Sequence, residues 1–119
     1  MNWIVLGALG GALSVIAGAF GAHALAGRLG ARELDLWETA ARYLMYGSLA
    51  LVLVGLFGQP GARRIDASGW CLLLGSLIFS GTVFGLALGG PRWLGAVTPI
   101  GGTLLIAGFL LFAWAAVRG

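Results

Sequence analysis

The sequence predicts an all-α integral membrane protein: a four-helix bundle with antiparallel up-down connections. Three observations predict it. The chain is 60% hydrophobic and 9% charged, where soluble domains run near 45–50% apolar and about 25% charged. Its apolar residues fall into four blocks, each close to the roughly 20 residues that cross a hydrocarbon layer of about 30 Å. All five tryptophans stand at the ends of those blocks, as expected of indole rings that settle at headgroup level. The 119 residues make one domain at most, spanning 1–119. A soluble globule this small buries only about two thirds of the surface its unfolded chain exposes, so the apolar surplus faces lipid.

Backbone amides in lipid find no water, so each block must be a helix. The first span covers about 3–22 and opens on Trp3. It lacks the basic start of a signal peptide and exceeds a typical signal core, so it is expected to stay as a membrane helix. The second span covers about 37–57, and its helix starts earlier, near Ala31. Gly30 is its expected N-cap, with Glu33 and Asp35 near the positive end of the helix dipole. Leu34, Trp37 and Ala41 share one face, while Glu38 and Arg42 form an i,i+4 pair on another. Segment 58–68, rich in Gly, Pro, Asp and Ser, reads as a hydrophilic loop.

The third span covers about 69–88 and opens on Trp70. The tight connection Gly89-Gly90-Pro91-Arg92-Trp93 makes the third and fourth helices antiparallel neighbours. The fourth span covers about 99–117. Proline inside a helix removes a hydrogen bond and crowds the preceding turn, whereas at the first helical position it costs nothing. Pro99 is therefore expected to open this helix, with Thr98 as N-cap and residues 92–97 lying along the membrane interface.

Between helices in lipid, close backbone approach replaces the hydrophobic effect as the driving force, and small residues permit it. Gly10, Ser14, Gly18 and Ala22 recur at four-residue spacing, as do Gly81, Gly85 and Gly89. Both stripes are expected to be helix-packing surfaces. They could equally pair two copies of the chain.

The formal charge is +3 and all seven basic residues are arginine. They are scattered rather than gathered on one face, which argues against nucleic acid and for membrane lipid headgroups as partners. The single Cys71 excludes an intramolecular disulfide and a thiolate metal cluster, and reads as a small buried hydrophobe. Arg63, Arg64 and Arg118 share one side of the membrane. Arg28, Arg32 and Arg92 occupy the other, with Arg42 near its surface. The adjacent pair Arg63-Arg64 favours cytoplasmic termini.

No acid or base is expected in the centre of any span, which argues against a pump or proton-coupled carrier. His23 is the one histidine. It is a candidate metal ligand or proton acceptor with Glu33, Asp35 or Glu38, but a lone histidine makes a poor transition-metal site. A cap on the last carbonyls of the first helix is its simpler role. Ser76, Ser80 and Thr82 have no sequence-local base or oxyanion hole and suit bonds to helix carbonyls. Tyr43 and Tyr46 suit interfacial anchoring. Thr98-Pro99-Ile100-Gly101-Gly102 is glycine-rich at a helix start, but caps better than it binds anions.

Several of these segments together resemble the domain-of-unknown-function 423 family, itself similar to the transmembrane protein 256 family. The segments are Gly18-Ala19-Phe20-Gly21-Ala22-His23, Trp37-Glu38-Thr39-Ala40, Tyr43-Leu44-Met45-Tyr46, Phe79-Ser80-Gly81 and Thr98-Pro99-Ile100-Gly101-Gly102. The resemblance implies a multi-pass protein, of the inner membrane in a bacterium, and implies no activity. Family members carry a histidine where this chain has Gly47, so any pair it made with the histidine matching His23 is broken here.

The expectation is a non-enzymatic multi-pass membrane protein without a cofactor, acting through lipids, another membrane protein or a second copy. The alternative is a small oligomeric channel or carrier for a neutral or apolar solute, its path lined by Ser76, Ser80, Thr82 and Thr103. A membrane enzyme built on His23 ranks last.

Overall fold

In a computed structural model of the protein the described residues are 2–58 and 63–118, with Arg63 and Arg64 described by their backbone alone. Four helices account for most of them: α1 (Trp3–Phe20), α2 (Ala31–Phe57), α3 (Arg63–Ala87) and α4 (Leu94–Arg118). A π-helical turn, Gly21–Leu25, continues α1. All four helices are long and apolar enough to cross a membrane. The long dimension of 48 Å matches a bilayer of about 40–45 Å including headgroups. Many large apolar side chains point outward, among them Leu9, Ile16 and Leu110, each more than 60% exposed.

Each helix packs on its neighbour in sequence, α1 on α2, α2 on α3 and α3 on α4, with a slight touch of α4 on α2. The bundle is an open row rather than a closed square. Its core joins Trp3, Leu51, Val54, Ile65, Leu72 and Leu105. Hydroxyls and indoles tie the helices to each other's carbonyls. Ser14 Oγ donates to Ala41 O at 2.6 Å, Ser80 Oγ to Ala40 O at 2.8 Å and Ser68 Oγ to Gly108 O at 2.9 Å. Such interhelical bonds in membranes contribute on average about 0.6 kcal/mol each.

The ends show why the helices start and stop where they do. Asn2 caps α1, its Oδ1 accepting from Val5 N at 3.2 Å. Gly30 is the N-cap of α2 and Glu33 lies in its first turn. After α3 the chain closes a Schellman motif. Gly90 N donates to Gly85 O at 2.7 Å and Gly89 N to Leu86 O at 3.1 Å, with Gly89 at φ +89°. That left-handed conformation favours glycine.

Three expectations are corrected here. First, α4 does not begin at Pro99: it begins at Leu94 and carries Pro99 inside it. The turn before it accepts the first amides, Leu94 N to Pro91 O at 3.1 Å, Gly95 N to Arg92 O at 3.0 Å and Ala96 N to Trp93 O at 3.0 Å. The helix therefore has its start before the proline is reached. Thr98 is no cap; its Oγ1 donates back to Leu94 O at 3.0 Å and pairs with Thr82 Oγ1 at 2.6 Å. The segment expected along the interface is thus largely the first turn of α4.

Second, α3 begins at Arg63, so much of the expected 58–68 loop is helix; its residues 59–62 lie outside the described residues. Asp66 falls in the first turn of α3, where a carboxylate suits the helix dipole, and accepts from Trp3 Nε1 at 3.2 Å. Trp3 is only 4% exposed and meets Trp70 edge-on at 5.5 Å, so it wedges α1 against α3 instead of anchoring in headgroups.

Third, the four-residue stripes follow the contact lines only in part: Gly10 and Ser14 meet α2, whereas later members turn away. A Cβ at Gly18 or Gly81 would meet nothing within 4 Å, and one at Gly85 only the Leu94 side chain. At 3.6 residues per turn, a four-residue row drifts about 40° around the helix with each step. The line of α1 that touches α2 runs instead through Gly7, Gly10, Ser14, Ala17 and Gly21. A Cβ at Gly7 would meet Ser48 O at 2.5 Å, and one at Gly10 would collide with Ser48 Oγ. Across α3 and α4 the close approaches are at Gly75, Gly101 and Gly108, against Leu105 N, Phe79 backbone and Leu72 N.

Candidate functional site

Two of the charges on α2, Glu38 and Arg42, share one side of the helix with α1. Ser14 follows Trp3 by eleven residues, so it lies about 17 Å along the axis of α1, near the middle of that span. Its bond to Ala41 O brings Arg42 to the same level. Arg42 is therefore level with Ser14 of α1, with Glu38 one turn, about 6 Å, nearer the start of α2. Both are exposed. The expected Glu38–Arg42 ion pair does not form. Arg42 Nη2 donates to Thr39 Oγ1 at 3.3 Å, and the one ion pair among the described residues is Arg32–Glu33 at 3.8 Å. The guanidinium thus reaches back toward the start of α2, the direction in which a long basic side chain snorkels to water.

These charges line a lateral groove of about 400 Å³ between α1 and α2, with Ser14, Gly18, Ala41 and Met45. Gly18 brings no side chain to it. Trp37 packs on the neighbouring turn of α1 without lining it, its ring over Gly21 and its Nε1 donating to Ala17 O at 2.7 Å; Phe84 backs the ring at 4.6 Å. Ser14 forms the floor with its hydroxyl already given to Ala41. The site offers one cation, one anion and an apolar wall of alanine, glycine and methionine.

The other candidates are dispersed. His23 is exposed on the π turn and makes no hydrogen bond among the described residues, so the capping role expected of it is not taken up. Among the described residues no cluster of three or more His, Cys, Asp or Glu could hold a metal. Ser80 is spent on Ala40 O, Thr82 on Ile78 O and Thr98, and Thr103 on Pro99 O at 2.8 Å. The hydroxyls named for a solute path are therefore engaged with helix carbonyls or with each other, except Ser76. Ser76 Oγ is buried without a partner, pressed against Gly47. Position 47 faces α3 and α4 through Ser76 and Leu105, so a side chain there would not face His23 across the molecule.

Tyr43 and Tyr46 meet edge-on at 5.2 Å, Tyr43 lies 4.7 Å from Phe79, and both line a second groove of about 290 Å³ with Gly102, Leu105, Ile106 and Phe109.

The groove between α1 and α2 had a signal in the sequence. The uncharged part of the second block runs only from Tyr43 to Phe57, fifteen residues, or about 22 Å of helix. That falls short of a hydrocarbon layer of about 30 Å, so the turns bearing Glu38 and Arg42 must complete the span.

Comparison with known proteins agrees with this architecture. The profile of a protein family of unknown function, DUF423, matches residues 17–102. A UPF0382 membrane protein of Staphylococcus haemolyticus is 46% identical over 109 residues, covering 92% of this chain and 89% of that protein. One from Staphylococcus epidermidis is 42% identical over 116 residues, covering 98% and 95%. One from Staphylococcus aureus is 39% identical over 109 residues, covering 92% and 89%. No solved structure matches the chain.

Proposed function

We propose, from the premise that the chain belongs to the DUF423 family of multi-pass membrane proteins, that it is non-enzymatic and acts through contact with membrane lipid at the groove between α1 and α2. One observation carries this reading: Glu38 and Arg42 line that groove at the depth of Ser14. A charged side chain within a membrane-spanning helix is costly, and such residues mark functional sites by default. A lipid headgroup drawn into the groove supplies the counter-charge that the hydrocarbon lacks. The non-enzymatic reading rests on the groove's chemistry. Its hydroxyl, on Ser14, is donated to Ala41 O at 2.6 Å, and His23 is not among the residues that line it.

The proposed location is the cell membrane, the inner one in a bacterium with two, because outer-membrane spans are closed β-barrels. Both termini face the cytoplasm, on the strength of Arg63-Arg64 and Arg118. The exposed leucines of α1 and α4 could also meet a second copy or another membrane protein, but they carry no polar feature that would select one.

The test is phospholipid retained by the full chain after mild solubilisation. Gly18→Leu, which fills the groove from a position with free space around it, lowers the lipid carried per protein; unchanged retention overturns the reading. Orientation is checked in a Cys71→Ser background with Arg118→Cys, which an impermeant maleimide labels only after the cells are opened.

A further inference from the structure

We infer that the groove between α1 and α2 selects phospholipids whose headgroup carries a primary amine beside its phosphate, of the phosphatidylethanolamine type; this rests on the lipid-contact reading above. The argument is one of charge, spacing and what the lining lacks.

Glu38 and Arg42 are one helical turn apart, with Cβ atoms of such pairs about 5–6 Å apart. They stand on the same groove, yet neither satisfies the other. Arg42 Nη2 donates to Thr39 Oγ1, and Glu38 has no ion pair or hydrogen bond among the described residues. A zwitterionic headgroup carries a phosphate and an ammonium separated by two methylenes, the same short spacing of opposite signs. Arginine has five N–H donors in a fixed fork suited to phosphate oxygens, and one bond to Thr39 leaves four of them.

The acyl chains would leave past Ala41, Gly18 and Met45, which form the apolar wall.

The lining also tells against the other common headgroups. A quaternary choline cannot donate a hydrogen bond and is recognised by aromatic faces; the groove is lined by Ser14, Gly18, Glu38, Ala41, Arg42 and Met45, with no aromatic residue. A net-negative phosphoglycerol headgroup would meet the Glu38 carboxylate without an amine to offset it. A primary ammonium both donates to the carboxylate and neutralises it.

The experiment uses the full chain reconstituted with defined vesicles of dioleoyl phosphatidylethanolamine, phosphatidylcholine and phosphatidylglycerol in equal amounts. Lipids retained on the protein are then counted by native mass spectrometry. A solvent-exposed pair of this kind is worth up to about 1 kcal/mol, so the expected preference for phosphatidylethanolamine is about two- to fivefold. Glu38→Gln abolishes that preference and raises phosphatidylglycerol relative to it. Arg42→Gln lowers retention of all three lipids. Gly18→Leu also lowers all three while leaving the unfolding midpoint in detergent unchanged.

Equal retention of the three lipids by the wild type overturns the amine selectivity; so does a preference that survives Glu38→Gln. If retention is equal but still falls in Gly18→Leu, the groove remains a lipid site and the headgroup inference alone fails. If Gly18→Leu changes nothing, both readings fail.

Discussion

Replacing Gly101 by alanine tests the packing account most directly. An added Cβ would collide with Phe79 N and lie 2.8 Å from Phe79 Cα and 2.9 Å from its Cβ. Ordinary contact begins near 3.4 Å, so α3 and α4 must part by at least about 0.6 Å, because backbone cannot swing aside. A radial gap of that size forfeits about a quarter of each contact well. Leu72 is fully buried between the two helices, and such a leucine makes about 40–60 contacts at about 0.1–0.2 kcal/mol each. The loss is then about 1–3 kcal/mol, in line with measured overpacking. Alanine returns about 1 kcal/mol of helix propensity over glycine. Gly101→Ala should therefore destabilise by up to about 2 kcal/mol net. Gly18→Ala, which meets nothing, should be neutral or slightly stabilising. Both are measured by unfolding in mixed micelles of increasing sodium dodecyl sulfate, followed by tryptophan fluorescence. Equal midpoints for the two variants, or a larger loss at Gly18, would refute the reasoning.

Trp3→Phe removes the bond to Asp66 and disturbs the edge contact with Trp70, costing about 1–2 kcal/mol in the same titration, while Asp66→Asn keeps an acceptor oxygen and costs less. Ser76→Ala deletes a hydroxyl that has no partner and should be neutral or stabilising, whereas Ser80→Ala breaks a bond to Ala40 O and costs about 1 kcal/mol; the reverse order would contradict the bonding described. Pro99→Ala restores an amide that can reach Gly95 O within α4 and should stabilise that helix by up to about 3 kcal/mol, visible as slower hydrogen exchange around residues 95–103.

Much of the fold was legible because lipid imposes simple rules. The four spans followed from block length, and the cap at Gly30 from a small residue placed before Glu33. The tight third connection followed from Gly89-Gly90-Pro91. The errors share a cause. Trp3 and Trp37 were read as membrane anchors because they sit at block ends. Which neighbour each meets depends on the tilt and register of other helices, and both turn inward to bond Asp66 and Ala17. The stripe on α1 holds at Gly10 and Ser14 and drifts off the contact at Gly18, because a four-residue repeat is not the true helical period. Pro99 was misplaced because the amides before it are satisfied by the Pro91–Trp93 turn, a local geometry that composition does not disclose.

The chain's residues by themselves determined that this protein lives in a membrane, crosses it four times and folds as helices. Those properties depend on length and polarity, which are additive along a sequence. Only the tertiary structure decided where the charges lie. Ser14 bonding to Ala41 sets the register of α1 on α2, and that register carries Glu38 and Arg42 into a shared groove. A difference of one helical turn in that pairing would move both charges by about 5.4 Å, and no single segment contains the information that fixes it.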